Sequence, residues 1–311
     1  MATLQDSSQS FLSEDHPIEA INKSVDLMWM RRNEFAGNSA QFFDVDNKSG
    51  GLTHVITNVG SALPLPQRNN DTDALPYVTP AGGYKKTFTV ISRRQGIRVT
   101  RLGLESDRFD VVVGMTTGHI KSAMQSDEYE RISLFDNGFS GTDGADSLSL
   151  FSNSHPHENP EIALWDNLGT GALTGPNLQA LRLVSRQMTN EQGHPDPVIP
   201  QTLFVPNALE QKALELTSVG QGKPEGSLNE PNVLIPGLDV KVNDYLSSAT
   251  AYFLIGDRQG PNKGLHEVVL SDWSLADNAP ANADIVIDKR IRGVKVFGFT
   301  TSKNTFGSDG T

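Results

Sequence analysis

Residues 147–216 read SLSLFSNSHPHENPEIALWDNLGTGALTGPNLQALRLVSRQMTNEQGHPDPVIPQTLFVPNALEQKALEL, and strand, loop, helix, strand and helix signals follow one another there with clear punctuation. Pro176 stands where the first turn of a helix tolerates a residue without an N–H. Leu178, Leu181, Val184 and Met188 recur at helical spacing, and Gly193 closes the pattern. After the Pro195 to Pro200 turn cluster, residues 202–205 form a short apolar run, the mark of a buried strand. Pro206-Asn207 then opens a second helix carrying Leu209, Ala213, Leu214 and Leu216, with Gly220 beyond it. A helix, a strand and a helix that must share one core predict a mixed α+β layer.

On the N-terminal side, Pro17 with Asp15 or Ser13 as cap opens a helix with Ile18, Ile21, Val25, Met28 and Trp29 on one face, inside an otherwise polar stretch. Residues 1–48 are therefore expected to be an arm that docks on another subunit and is retained uncleaved. Leu52, His54 and Ile56 alternate, a turn-rich tip follows, and alternation resumes through Phe88 and Val90, predicting a long hairpin over residues 49–92. Ser106 caps a helix in which Phe109, Val113, Ile120, Met124, Ile132 and Phe135 keep a helical period, with Asn137-Gly138 as a left-handed stop. At about 30 residues it would be roughly 45 Å long, a spine more than a compact-domain helix. Gly114 and Gly118, four apart within it, predict close packing against a neighbouring element. On the C-terminal side, residues 238–242 and 251–255 read as strands, and residues 285–300 alternate through Ile285, Ile287, Ile291, Val294 and Val296 with a turn near Arg292-Gly293.

The chain has 311 residues, 28 Gly, 17 Pro and 14 Phe, which marks it as loop-rich yet long enough to bury a sizeable core. It contains no Cys, so disulfides, thiol nucleophiles and thiolate metal sites are excluded. No apolar run reaches the length of a membrane span, and the start MATLQDSSQS lacks the basic and apolar regions of a secretion signal, so a soluble protein made in the cytoplasm is expected. A net charge of −11, from 37 acids against 26 bases, argues against a surface built to grip phosphates. The charge is segregated. Residues 74–104 hold six bases and no acid, and the acidic stretch 105–161 follows at once. Such segregation predicts that Arg93 and Arg94, or Lys85 and Lys86, meet carboxylates across a subunit boundary, with Glu105, Asp107, Asp110, Asp127, Glu128 and Glu130 as the candidates.

Asp143-Gly144 leading to Leu150-Phe151-Ser152-Asn153-Ser154-His155-Pro156, with Leu203-Phe204-Val205-Pro206 and Leu209 further on, resembles the "DG…LFS…HP" and "LLVP…L" elements of the major capsid proteins of tailed double-stranded-DNA bacteriophages, in particular the Mu-like head-subunit branch. The resemblance covers roughly residues 93–299. It implies an α+β tailed-phage capsid fold with an N-terminal arm (1–48), an extended hairpin loop (49–92), a peripheral domain with the spine helix and C-terminal strands (93–146 and 276–311) and an axial domain (147–275). It also implies hexamers and pentamers in an icosahedral shell around double-stranded DNA that is not bound sequence-specifically. Portal, scaffolding and decoration proteins would be partners, the virion the location, and no catalytic residue, metal or cofactor is expected. An encapsulin-like protein shell is the alternative within the same fold.

Catalytic motifs are scarce. No phosphate loop, GxSxG or HExxH occurs, and Gly220, Gly222 and Gly226 follow a helix with the wrong spacing for a dinucleotide fingerprint. His155-Pro156-His157-Glu158, with Asp166 nearby, is the one pattern that suits a metal-dependent hydrolase, since His-x-His and a carboxylate are divalent-ion ligands.

Overall fold

A computed structural model describes residues 17–57, 84–100, 102, 109–157, 159–217, 237–277 and 285–311. In chain order its elements are α1 (Pro17–Met30), β1 (Asp44–Asn47), β2 (Thr53–Thr57), β3 (Lys85–Thr89), β4 (Ile91–Thr100), α2 (Phe109–Asp136), β5 (Leu168–Gly169), α3 (Gly175–Arg186), β6 (Pro200–Pro206), α4 (Glu210–Thr217), β7 (Asp239–Asn243), β8 (Tyr252–Gly256), β9 (Leu265–Asp277), β10 (Ile285–Phe299) and β11 (Thr305–Ser308). The mixed α+β class read from the sequence is the one observed. The chain divides into two units, one of Met1–Gly37, Val90–Tyr129 and Val269–Lys295, the other of Asn38–Thr89, Glu130–Val268 and Val296–Thr311.

In the first unit β4 pairs antiparallel with β10, and β9 is the next neighbour of β10. Helix α2 contributes Ile120, Ala123 and Met124 to a cluster with Trp273 of β9 and Ile291 of β10, with Met28 and Trp29 of α1 packed against it. A second cluster joins Val25 of α1 to Val99 and Ile287. The predicted helix near the N-terminus is present, with Val25 buried and Met28 and Trp29 partly buried within its own unit; the side chains of Ile18 and Ile21, and the cap at Ser13 or Asp15, lie outside the described residues. The expected turn at Arg292-Gly293 is absent, because β10 runs on through both positions. Gly293 serves the Trp273 indole instead: a Cβ there would stand 2.8 Å from the ring. The spine helix spans 28 residues, about 42 Å at 1.5 Å per residue. Among the described residues Gly114 and Gly118 do not pack closely against a neighbour, since a Cβ on either meets no atom there within 4 Å.

In the second unit five strands run in the order β5-β11-β8-β6-β7, with β6 parallel to β7 and antiparallel to β8. Alternation along β6 and β8 divides their side chains between two cores. Leu203, Val205, Tyr252 and Leu254 meet Leu178 and Leu181 of α3 and Ala213 and Leu216 of α4 on one face. Phe204, Phe253 and Ile255 meet Phe42, Phe43, Ile132 and Phe135 on the other. Burial on both faces is why these strands read as continuous apolar runs. The phenyl rings interlock edge-on, Phe135 lying 5.2 Å from Phe253 and Phe42 5.1 Å from Phe204 between centroids. Strands β2 and β3 form the predicted antiparallel hairpin with His54 opposite Phe88; its tip, residues 58–83, lies outside the described residues.

Two predicted helix ends differ. Gly138 is not in the left-handed region, and it is small because a Cβ would stand 2.8 Å from the Phe151 ring. Helix α3, capped by the Thr174 hydroxyl at Asn177 N, stops at Arg186 rather than running to Gly193. Met188 is buried beyond its end, while Thr189 bridges Pro195 and Gly193 takes φ 77° in the intervening turn.

Candidate assembly surface and buried polar sites

The basic run folds into strand β4, which places Arg94, Gly96 and Arg98 on one face. Their cross-strand partners on β10 are Arg292, Arg290 and Asp288. Arg94, Arg98, Arg290 and Arg292 are all exposed. Of these four, Arg98 alone has an acid among the described residues, donating from Nε to Asp288 Oδ2 at 2.9 Å. Arg290 and Arg292 were not singled out from the sequence; the signal was their alternation with the buried Ile287 and Ile291, which places them on the opposite face. Arg93 points the other way, and its Nη1 donates to Lys295 O at 3.3 Å. On the hairpin, Lys85 is exposed, whereas the Lys86 ammonium donates to the Asp143 carbonyl.

Of the acids proposed to face these bases, Asp127 and Glu128 are spent inside their own subunit. Asp127 is 4% exposed and its Oδ2 accepts from Lys295 Nζ at 2.6 Å and from Trp273 Nε1 at 2.8 Å. Glu128 is 1% exposed and its carboxyl lies so close to Gly37 that any Cβ there would collide with it. The helical period decides this: both positions fall on the inward side of α2, with Met124 and Ile120. Glu130 is half-buried. Glu105 and Asp107 lie outside the described residues, and of Asp110 only its place on α2 is described.

The His-x-His pattern is not a metal pair. His155 is buried, its Nδ1 2.7 Å from Asp146 Oδ2, its Nε2 3.2 Å from Ser302 Oγ, and its ring stacked on Trp165 at 4.3 Å. His157 is buried against other partners, Nδ1 at 3.3 Å from Glu191 Oε2 and Nε2 at 3.2 Å from Thr189 Oγ1. Asp166 turns its Oδ1 back to Leu168 N at 2.7 Å. Extended backbone sends residues two apart to the same side, but each ring nitrogen finds its own partner, and the three groups do not converge. Between them Asn167, fully buried, donates to Leu150 O at 2.8 Å and Thr305 O at 2.9 Å and accepts from Ser152 N at 2.8 Å. The Leu150 to His157 segment is thus a structural splice. Burial alone would raise the Asp146 carboxyl's pKa, but the His155 ring and the Leu148 N–H outweigh it and hold it below the ordinary carboxylate value.

A different trio does converge, and the sequence reading passed over it. Asp44 and Asp46 alternate onto one side of β1, and His266 comes from β9; one ligand atom from each lies within 4.8 Å of the other two. His266 is 1% exposed, with Nδ1 at 3.1 Å from Asp46 Oδ2 and Nε2 at 2.9 Å from Thr300 Oγ1. Its pKa is lowered by burial, which the two aspartates oppose and His54 reinforces. Among the described residues no helix is long and apolar enough to cross a membrane.

The architecture is that of virus-shell proteins. The capsid of Cyanophage P-SCSP1u superposes with a TM-score of 0.58 at 10% identity, over 86% of each chain. A virus-like particle from Pyrococcus furiosus gives a TM-score of 0.50 at 11% identity, covering 90% of this chain and 96% of that one. The capsid of bacteriophage JBD30 decorated with minor capsid protein trimers gives 0.53 at 13% identity, over 68% of this chain and 91% of its own. No curated protein sequence matches this chain. Residues 83–303 match the model of the family described as phage capsid protein, and the chain belongs to that family. It is a structural, non-enzymatic capsid protein and a component of the virion, which removes the metal-dependent hydrolase reading.

Proposed function

We propose that this capsid protein is the major head subunit of a tailed phage of the Mu-like branch, closing as hexamers and pentamers into an icosahedral shell around double-stranded DNA. The "DG…LFS…HP" and "LLVP…L" elements support the branch, and residues 1–48, 49–92, 93–146 with 276–311, and 147–275 serve as arm, extended loop, peripheral domain and axial domain. Assembly takes place in the host cytoplasm with separate portal and scaffolding proteins. Decoration by a second protein is supported by the JBD30 capsid, whose own shell carries minor capsid protein trimers.

The observation that carries the assembly reading is the exposed arginine face of β4 and β10, which has one acid of its own among the described residues in a chain of net charge −11. A neighbouring copy is the acidic partner that such a face fits. Arg94 and Lys85 then meet carboxylates of the next subunit, with Glu105, Asp107, Asp110 and Glu130 as the candidates. Electron microscopy of the expressed protein, with scaffolding protein supplied, tests this: closed particles are expected, and a monomer that persists at high concentration overturns it.

An encapsulin-like shell is the second reading, favoured by the likeness to the Pyrococcus furiosus particle. The contents decide between them, DNA for the first and cargo protein for the second.

A further inference from the structure

We infer that Asp44, Asp46 and His266 form a binding site for a divalent transition-metal ion, Zn²⁺ or Mn²⁺, that staples β1 to β9. The donor set is one imidazole and two carboxylates, a mixture that suits these two ions better than the all-oxygen shells of Ca²⁺ or Mg²⁺. Its spacing is nearly right. Ligands of a four-coordinate ion with bonds of about 2.1 Å stand about 3.4 Å apart, and the three donor atoms already lie within 4.8 Å.

Three further features point to a ligand rather than to a chance cluster of acids. His266 is buried and aims Nδ1 at the carboxylates. Its other nitrogen is held by the Thr300 hydroxyl, the kind of outer partner that fixes ring orientation and tautomer in metal sites. Asp44 and Asp46 are two like charges side by side, both half-buried, a repulsion that a cation between them offsets. The scaffold is also braced: Lys263 Nζ donates to Gln41 O at 2.9 Å and to Phe43 O at 3.3 Å, tying the entry of β1 to the start of β9. Three protein ligands leave coordination positions for water. In a non-enzymatic capsid protein the ion acts by bridging β1 and β9, and it concerns the folded subunit whether or not that subunit assembles as proposed above.

Titration calorimetry of the chelator-stripped full-length protein with ZnCl₂ and with MnCl₂ tests the site. One ion per chain should bind, with a rise in melting temperature, and the Asp44→Asn, Asp46→Asn variant should bind at least tenfold more weakly with no thermal rise. These isosteric changes keep the local shape, and near-ultraviolet circular dichroism of the stripped variant checks its fold. His266→Gln serves as an independent ligand deletion. Absence of saturable binding in the wild type overturns the inference, as does equal affinity in the double Asn variant, which would place the ion elsewhere.

Discussion

Arg94 of β4 stands directly opposite Arg292 of β10, like charge against like charge on an exposed sheet face. Cβ atoms of such partners lie about 4.5–5.5 Å apart, and like charges there are destabilising. A subunit that keeps this pair gains nothing from it alone.

Arg292→Glu separates the two roles of the pair. It creates an opposite-charge partner for Arg94, so the isolated subunit should be as stable or gain roughly 0.2–1 kcal/mol in denaturant unfolding. Particle yield should fall, because the reversal repeats at every subunit of the shell. Particles forming as well as before at moderate salt would reduce the face to a solvated edge.

Lys295 is the second target. Its ammonium, 4% exposed as a side chain, reaches Asp127 Oδ2 at 2.6 Å and Asp272 Oδ1 at 3.2 Å. Lys295→Met leaves Asp127 buried without its cation and should cost about 3–5 kcal/mol, the usual penalty for breaking a buried pair from one side. Adding Asp127→Asn should recover much of that loss. Chemical denaturation of the three variants reads the cycle, and a loss below about 1 kcal/mol in the single variant would mean that Asp127 is not buried as a charge.

Gly114→Ala and Gly118→Ala should each stabilise the subunit by about 0.5–1 kcal/mol, because alanine restricts the unfolded chain and favours helix. Among the described residues nothing within 4 Å opposes the added methyl. Thermal melting of the double variant checks this, and destabilisation would show that the two glycines face a close neighbour after all.

Mild acid should weaken the fold through buried histidine. Burial lowers the pKa of His119 on α2 below its ordinary 6.5, with the Gln95 carbonyl pulling the other way. The folded state thus binds fewer protons than the unfolded one, so this contribution is complete above pH 6.5 and declines as the pH falls from there towards the folded value. His266 shifts in the same direction, so the slope should diminish in His119→Gln without vanishing. Unfolding free energies of wild type and variant between pH 7 and pH 5 give the comparison; parallel curves would mean that His119 does not contribute.

The class of the fold was legible because its elements announce themselves locally. Leu178 and Leu181 at helical spacing behind Thr174-Gly175-Pro176 made α3, and the apolar run at Leu203-Phe204-Val205 made β6. The family elements around Asp143 and Leu203 sit in the same stretch. Chain reversals and helix ends were read less well: Gly138 and Gly293 looked like turn residues but are small to admit the rings of Phe151 and Trp273.

By itself, then, the sequence determined what short-range periodicity and composition can specify: the main helices and the strands β6, β7, β8 and β10, a cysteine-free capsid architecture and a segregated basic run, while β1, β9 and β11 went unread. Only the tertiary structure decided which distant polar groups meet. It turned Asp127 and Glu128 inward, divided His155 and His157 between Asp146 and Glu191, and set Arg94 against Arg292. It also brought Asp44 and Asp46 to His266. Strand register and helix rotation are set by packing between segments far apart in the chain, and a hydrogen-bonding partner is chosen by that packing and by no pattern within either segment.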